Sequence, residues 1–153
     1  MKAGSFEKAI SQSRKIGLDT SILIYHFEAV DKYTAFTSLI FSAVAGGVGA
    51  ILPSIAVTEL LVKPFRTAPA GALEGLINQL RNMPNFNYVG LSFDAAVQAA
   101  RIRAKHGLAA PDALNLAACL DSGADIFITN DTDFRKVDGK EKIKIAILED
   151  YIG

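Results

Sequence analysis

The sequence predicts an α/β protein with a central, mainly parallel sheet that helices cover on both faces. Two observations predict this class: apolar strand candidates alternate with helix candidates along the chain, and half of the 153 residues are apolar. Strands that alternate with helices are typical of parallel sheets buried on both faces. We expect one domain over residues 1–153, because a single hydrophobic core commonly organises a chain of this size.

The first half of the chain divides at residues that are typical of helix ends. Gly46 and Gly47 are C-cap signals, and Ser54 is a candidate N-cap. The predicted elements are, in order, a polar lead-in over residues 1–15, a strand at Ile16–Leu18, a helix from about Ser21, a helix over Tyr33–Ala45, a strand at Ala50–Leu52 and a helix from Ser54 to about Val62.

The second half divides at proline, serine and glycine. Pro64 closes the preceding helix, Ser92 is an N-cap, and Pro111 belongs in the first turn of a helix. The predicted elements are a helix from Pro69 to Arg81, a strand in "FNYVGL", a helix from Ser92 with an apolar face of Phe93, Val97, Ala100 and Ala104, a helix that begins near Pro111 and ends before Gly123, and strands in "DIFIT" and "KIKIAIL".

Composition limits the classes of function. Sixteen Lys and Arg residues balance sixteen Asp and Glu residues, so the overall charge does not attract nucleic acid, and any polyanion site must be local. The single cysteine, Cys119, excludes an intrachain disulfide and a multi-cysteine zinc site, and it favours the reducing cytoplasm. The start of the sequence lacks the apolar region of a secretory signal, so we expect a cytoplasmic protein.

One stretch of the chain is long enough to cross a bilayer, because no charged residue occurs from Tyr33 to Thr58. Gly46, Gly47, Gly49 and Pro53 interrupt this run. A buried helix, a turn and a strand are therefore expected there, and no membrane association. Some of this apolar surface exceeds what one small core buries, which predicts a twofold homodimer.

Two aspartates follow predicted strands. Asp19, in "KIGLDTSILIYHF", ends the first strand within an apolar frame, and Asp131, in "FITNDTDF", lies just past the fourth strand. In open parallel sheets ligands bind at this carboxyl edge, so the two carboxylates are expected to share a cleft. Asp112 belongs to the first turn of a helix, and Glu59 lies within a helix among apolar neighbours. Each acid alone is an ordinary surface or helix-start residue, but their combination indicates a site.

Carboxylates that lie within a few ångströms of one another repel and raise one another's pKa values. Only a bound cation or the uptake of protons relieves this cost. Oxygen ligands without histidine or cysteine suit Mg²⁺ or Mn²⁺ rather than zinc. Such a cation supports phosphodiester chemistry. The sequence therefore predicts that Asp19 is tolerated in its apolar frame because a metal neutralises it.

Four segments of the chain follow the order of motifs in a known family: "GLDTSILIY", "SIAVTELLV", "APDALNLAACLDSGADIFITNDTDF" and "IAILEDY". In these segments the chain resembles the PIN-domain ribonucleases, and more narrowly the VapC-type toxins of prokaryotic toxin–antitoxin pairs. The resemblance implies a PIN-like fold and a metal-binding, catalytic quartet of Asp19, Glu59, Asp112 and Asp131. Of these, Asp19 and Asp112 are expected to coordinate metal most directly. The supporting polar positions that it implies are Thr20 or Ser21, and Thr129.

Asp133 is an alternative fourth acid, since it lies two residues past Asp131. The family pattern places the active acid directly after the asparagine, which favours Asp131. Lys63 and Arg66 follow the Glu59 helix and are candidates for holding RNA phosphates without reading sequence.

The resemblance also implies Mg²⁺ or Mn²⁺ as cofactor, cleavage of RNA, frequent dimers and inhibition by a small antitoxin. The predicted function is therefore a metal-dependent endoribonuclease that acts as a toxin. An alternative is a catalytically silent PIN-like module that binds RNA or a protein, although the complete set of acids argues against it. Another Mg²⁺-dependent phosphohydrolase is less favoured, because "LDTS" lacks the Asp-x-Asp start that this chemistry normally uses.

Overall fold

Five parallel strands form the centre of the protein in this computed structural model, which describes residues 2–153. The strands are β1 Lys15–Leu18, β2 Gly49–Pro53, β3 Phe86–Val89, β4 Ile126–Thr129 and β5 Lys144–Ile147. They pair in the order β3–β2–β1–β4–β5, and every neighbouring pair is parallel. Ile16 of β1 lies opposite Ala50 of β2 and Ile126 of β4. The predicted α/β fold with a parallel sheet is confirmed.

Helices connect and cover these strands. Residues 2–153 form seven α helices: α1 Lys2–Ser11, α2 Thr20–Phe27, α3 Thr34–Ala45, α4 Ser54–Thr67, α5 Ala70–Arg81, α6 Phe93–His106 and α7 Ala110–Asp121. Short 3-10 segments lie at Asp31–Tyr33, Thr132–Lys136 and Leu148–Tyr151. The predicted cap of α6 is present, since the Ala95 amide donates a 3.0 Å hydrogen bond to Ser92 Oγ.

The sheet has a separate core on each face, because alternate residues of a strand point in opposite directions. Ile16 and Leu18 of β1 pack in the core that α1 to α4 cover. Gly17, between them, faces α7, where an added Cβ would lie 2.6 Å from the Sγ of Cys119. Phe127 of β4 packs in this second core with side chains of α6 and α7. The glycine thus allows α7 to lie close against the sheet.

The carboxyl ends of the central strands meet at one edge of the sheet. The chain leaves β1 through Asp19 and leaves β4 through Asn130 and Asp131. The Asp19 amide donates a 3.0 Å hydrogen bond to the carbonyl of Ile128, so the two exits lie side by side. Parallel pairing therefore brings together residues that are more than a hundred positions apart along the chain.

The prediction of a polar lead-in over residues 1–15 is wrong for most of that segment. Residues Lys2–Ser11 form α1, whose Phe6 and Ile10 are 0% and 1% exposed. The Phe6 ring packs against Phe36 and Tyr151, with ring centroids 5.2 and 5.0 Å apart. Two apolar residues one turn apart are too few to stand out as a helical period. Met1 lies outside the described residues.

The prediction that Pro64 ends the helix after β2 is also wrong. Helix α4 continues to Thr67, and the Ala68 amide donates a 2.9 Å hydrogen bond to the Pro64 carbonyl. A proline inside a helix removes one backbone hydrogen bond, and this helix continues past that loss. Ser54 is the first residue of α4 instead of its N-cap, and its hydroxyl donates to the carbonyl of Val89 in β3.

The apolar face predicted for α6 points to solvent. Phe93 is 84% exposed and Val97 is 52% exposed, whereas Ala95, Ala99 and Ile102 on the opposite side are buried. Because α6 has small or apolar residues on two opposite faces, its periodicity alone does not decide which face meets the sheet.

The uncharged stretch from Tyr33 to Thr58 folds as its interruptions predict, into α3, β2 and the start of α4. Within residues 2–153, no helix combines the length and the hydropathy that crossing a bilayer requires.

Candidate active site

Asp19 lies at the carboxyl end of β1, where it is the N-cap of α2 and is only 7% exposed. The Thr129 hydroxyl at the end of β4 donates a 2.6 Å hydrogen bond to Asp19 Oδ2, and the Thr20 amide donates a 2.9 Å bond to Oδ1. Ser21 Oγ lies 3.5 Å from Oδ2. The structure thus brings Thr20, Ser21 and Thr129, the predicted supporting residues, around this acid.

Burial raises the pKa of Asp19 above its ordinary value. The hydrogen bonds from Thr129 and Thr20 oppose this shift, while the negative charges of Glu59 and Asp131 add to it. An ionised carboxylate in such a place is costly unless a cation lies nearby.

Glu59 approaches the same site from the second turn of α4. The Thr20 hydroxyl and the Asn115 side-chain amide both donate to Glu59 Oε1, over 3.0 and 3.1 Å. The charge of Glu59 raises the pKa values of Asp19 and Asp112, as expected for a carboxylate that shares their cleft.

Asp112, Asp131 and Asp133 form the tightest acidic group of the site. Each offers a carboxylate oxygen, and these three atoms all lie within 4.8 Å of one another. Burial, followed by the charges of Asp131, Asp19, Glu59 and Asp133, raises the pKa of Asp112 to about 6. Asp133 thus joins Asp131 in this group instead of replacing it.

Local hydrogen bonds shape the turn that carries Asp131 and Asp133. The Asp131 amide donates a 3.0 Å bond to Thr129 Oγ1, the same oxygen that donates to Asp19. The Asp133 amide donates a 2.9 Å bond to Asp131 Oδ1. Thr129 therefore couples the position of the turn to that of Asp19.

A family model for the PIN domain matches residues 16–140. The chain belongs to the PIN-domain family. The matched span contains all five acids of the site, strands β2 to β4 and all of β1 except Lys15, whereas α1 and β5 lie outside it. The predicted resemblance to PIN domains is confirmed.

Solved structures that resemble this PIN domain include the following three. VapBC2 from Rickettsia felis, bound to a DNA fragment from its promoter, has a chain that is 14% identical to this one, with a TM-score of 0.67. The alignment covers 87% of this chain and 98% of that chain. A toxin–antitoxin complex from Klebsiella pneumoniae has a chain that is 21% identical with a TM-score of 0.61, over 84% of this chain and 94% of that one.

FitAcB from Neisseria gonorrhoeae has a chain that is 22% identical with a TM-score of 0.60, over 85% of this chain and 95% of that one. Identities this low support the shared fold. No curated protein matches the sequence.

The PIN-domain site fits a divalent cation of the Mg²⁺ or Mn²⁺ type. Its acidic donors are all carboxylate oxygens, which these hard cations prefer. After burial, the influences that raise the pKa of Asp112 are all neighbouring carboxylates, so the site carries concentrated negative charge.

The two basic residues predicted to hold RNA lie in different places. Lys63 lines the same cleft as Glu59. Its Nζ forms a 3.0 Å ion pair with Glu28, the residue that follows α2. Arg66 lies in the last turn of α4, beside the exposed Phe65 and Val62. The structure therefore places Lys63 in the cleft that Glu59 also lines and Arg66 in a separate groove.

Sequence reasoning missed two amides that organise the site. Asn115 lies three residues after Asp112, a spacing that puts both on one side of α7 and is the signal that would have found it. Asn130 donates from Nδ2 to the hydroxyls of Tyr25 and Tyr33, both over 3.1 Å, and accepts from the Glu149 amide over 3.0 Å. These bonds join the turn that precedes Asp131 to the 3-10 segment after β5.

Proposed function

We propose that this PIN-domain protein is a metal-dependent endoribonuclease and the toxin of a type II toxin–antitoxin pair. One observation carries the nuclease proposal: five carboxylates from four separate segments gather at the carboxyl edge of the sheet. Mutual repulsion makes such a group unfavourable in the absence of a cation. The similar folds include a chain of a toxin–antitoxin complex and a chain of VapBC2 bound to its promoter DNA, which supports the toxin proposal.

The side chains of the site would have separate roles in metal binding, orientation and contact with RNA. Asp112, Asp131 and Asp133 would hold Mg²⁺ or Mn²⁺, with Asp19 and Glu59 completing the ligand set. When bound, such a cation polarises a phosphodiester and neutralises the charge that grows on it. Thr129 and Thr20 orient Asp19 by donating to both of its oxygens. A carboxylate of the set accepts the proton of the attacking water, and Lys63 offers a positive charge to the RNA backbone.

An assay of purified, antitoxin-free protein on single-stranded RNA tests this function. We expect cleavage with Mg²⁺ or Mn²⁺, loss of cleavage in excess chelator, and recovery when excess metal is restored. Cleavage that continues unchanged in chelator would contradict the mechanism. Binding of RNA without cleavage under every metal condition would instead support the catalytically silent module.

A cleft beside the acids suits a segment of an antitoxin. It has a volume of about 520 Å³ and lies between α2, α4 and α5. Its walls are partly apolar, through Ile24, Phe27, Leu60 and Leu76, and Glu59 forms part of its lining. A chain segment seated here would reach the acids and exclude RNA. A short neighbouring reading frame for a DNA-binding protein would identify the candidate partner.

The exposed face of α6 supports a homodimer. The large exposed apolar side chains lie on α4, on β3 and on α6 with the residues just before it, and none lies in the Tyr33–Thr58 stretch on which the dimer was predicted. On α6, Phe93 and Val97 stand one turn apart, next to the small side chain of Ala100. Twofold packing of this face on its copy would cover apolar surface that a monomer leaves in water.

Replacing Val97 by Glu is expected to convert the dimer to a monomer at micromolar protein, because a charge would enter the centre of the apolar face. Sedimentation equilibrium or light scattering after gel filtration measures this. Lys8→Glu, which places a glutamate at an exposed position on α1, serves as the control and should leave the dimer intact. A wild-type protein that sediments only as a monomer would exclude the proposed dimer.

A further inference from the structure

Asn115 is a buried amide whose hydrogen bonding is incomplete. It lies on α7 and is 1% exposed. Its Nδ2 donates a 3.1 Å hydrogen bond to Glu59 Oε1, while its Oδ1 has no partner within residues 2–153. A buried oxygen without a partner is unfavourable, so packing alone does not account for an asparagine at this position.

The charge of Glu59 explains the orientation of this amide. If the Asn115 amide turned around, its oxygen would face the Glu59 carboxylate, and two acceptors would then repel each other. Donation from Nδ2 is therefore favoured even though it leaves Oδ1 unsatisfied. The contact with Glu59 is the one side-chain hydrogen bond that Asn115 forms within residues 2–153.

A second donor acts on the same oxygen. The Thr20 hydroxyl donates to Glu59 Oε1 over 3.0 Å, while the Thr20 amide donates to Asp19. Two donors on Oε1 hold an otherwise exposed carboxylate in one orientation. No side chain or amide within the described chain donates to Oε2, which leaves that atom available to the acidic site.

We infer that Asn115 is a positioning residue which, together with Thr20, orients Glu59 so that its Oε2 serves the metal site. This inference rests on the proposed metal-dependent nuclease and adds to it a neutral residue outside the acidic set. Asn115 acts through Glu59 alone, so its effect depends on the carboxylate of that residue.

A double-mutant cycle tests this dependence. Asn115→Leu keeps the volume of the side chain and removes its donor and its unsatisfied oxygen. We expect it to weaken Mn²⁺ binding by about tenfold, the scale seen when a partner of a metal ligand is lost. Its thermal stability in metal-free buffer should be unchanged or higher. In a Glu59→Gln background, Asn115→Leu should have no further effect.

The measurements are titration calorimetry of Mn²⁺ into chelator-stripped protein and cleavage of single-stranded RNA. Leu120→Ala, on the same helix but in a groove that Gln98 and Arg101 line and Glu59 does not, is the matched control. It should lower the melting temperature and leave Mn²⁺ affinity within about twofold of wild type.

The positioning role would be overturned if Asn115→Leu kept wild-type Mn²⁺ affinity and RNA cleavage. It would also be overturned if Asn115→Leu lowered Mn²⁺ affinity equally with and without the Glu59 carboxylate. Either result would leave the nuclease proposal intact. A wild-type protein that neither binds Mn²⁺ nor cleaves RNA would overturn both. If Leu120→Ala lost as much Mn²⁺ affinity as Asn115→Leu, the positioning role would be overturned, because the loss would then come from general destabilisation.

Discussion

Replacing Asp19 by Asn is expected to abolish RNA cleavage while the protein remains folded. The change keeps the shape of the side chain and removes a negative charge that lies close to Glu59 and Asp131. Loss of residues that only support metal ligands costs about 10- to 100-fold, so loss of this acid should lower the rate by more than about 100-fold. Single-turnover cleavage of single-stranded RNA with saturating Mg²⁺ or Mn²⁺ measures the effect.

The same substitution should raise the melting temperature in metal-free buffer, because it removes both the cost of burying a charge and the repulsion from its neighbours. In saturating Mn²⁺ the melting temperature of the wild type should rise enough to remove this difference, since metal binding stabilises the folded state.

Asp125→Asn is a matched control at the opposite edge of the sheet. Asp125 is exposed, and its Oδ2 accepts from the amides of Arg14 and Lys15 over 2.8 and 3.1 Å. These bonds lower the pKa of Asp125, so its charge is stabilising, unlike that of Asp19. Asp125→Asn should therefore lower stability slightly and leave cleavage unchanged. Full cleavage by Asp19→Asn, or an equal loss in both variants, would contradict the acidic-site mechanism.

The second large effect expected is that the stability of the metal-free protein depends on pH through the ionisation of Asp112. Folding raises the pKa of Asp112 to about 6, whereas an aspartate in an unfolded chain titrates near pH 3.9. A group whose pKa rises on folding stabilises the protein below its unfolded pKa, and this contribution is lost as the pH rises through the folded pKa. In chelator, the contribution of Asp112 should therefore fall between about pH 4 and pH 7.

A comparison with Asp112→Asn isolates this contribution. Burial lowers the pKa of His26, which contributes in the opposite direction near pH 6 and is common to both proteins. The melting temperature of wild type minus that of Asp112→Asn should thus decrease steadily from pH 4 to pH 7. Differential scanning calorimetry in chelator measures this difference in melting temperature. A difference that is flat or increases with pH would exclude a raised pKa of Asp112.

Added Mn²⁺ should reverse this trend in the wild type. Carboxylate ligands bind metal in their deprotonated form, so the stabilisation by Mn²⁺ should grow as the pH rises through about 6. Asp112→Asn should show a much smaller gain from Mn²⁺ at every pH. An equal gain in both proteins would place the metal away from Asp112.

The elements that could be predicted are those whose signal is local. The strand at Ile16–Leu18 and the helix Tyr33–Ala45 agree with β1 and α3 to within about one residue. Asp19 and Asp131 could be assigned to one edge because both follow strands, and parallel strands end at the same edge. Helix α1 could not be recognised, since its two buried residues carry too little periodicity to stand out.

The roles of Asn115 and Asn130 depend on contacts between distant segments. Asn115 meets Glu59 across 56 positions, and Asn130 meets Tyr25 across 105. The spacing from Asp112 places Asn115 on the side of α7 that faces the site, but the sequence does not say which distant residue its amide contacts, because asparagine is also common in turns and on surfaces. For α6, two faces with apolar residues left the choice of buried face to the packing of the whole chain.

From the sequence alone, the parallel sheet and the order of the strands and helices from β1 onward could be predicted, because hydrophobic periodicity and turn residues are encoded locally. The order and spacing of the motifs predicted Asp19, Glu59, Asp112 and Asp131 as the acids of the site. The tertiary structure alone decided that Asp133 joins Asp112 and Asp131, that one oxygen of Glu59 is held by Thr20 and Asn115, and which face of α6 is exposed. These features depend on distances of a few ångströms between separate segments, and such distances are set only when the helices pack against the sheet.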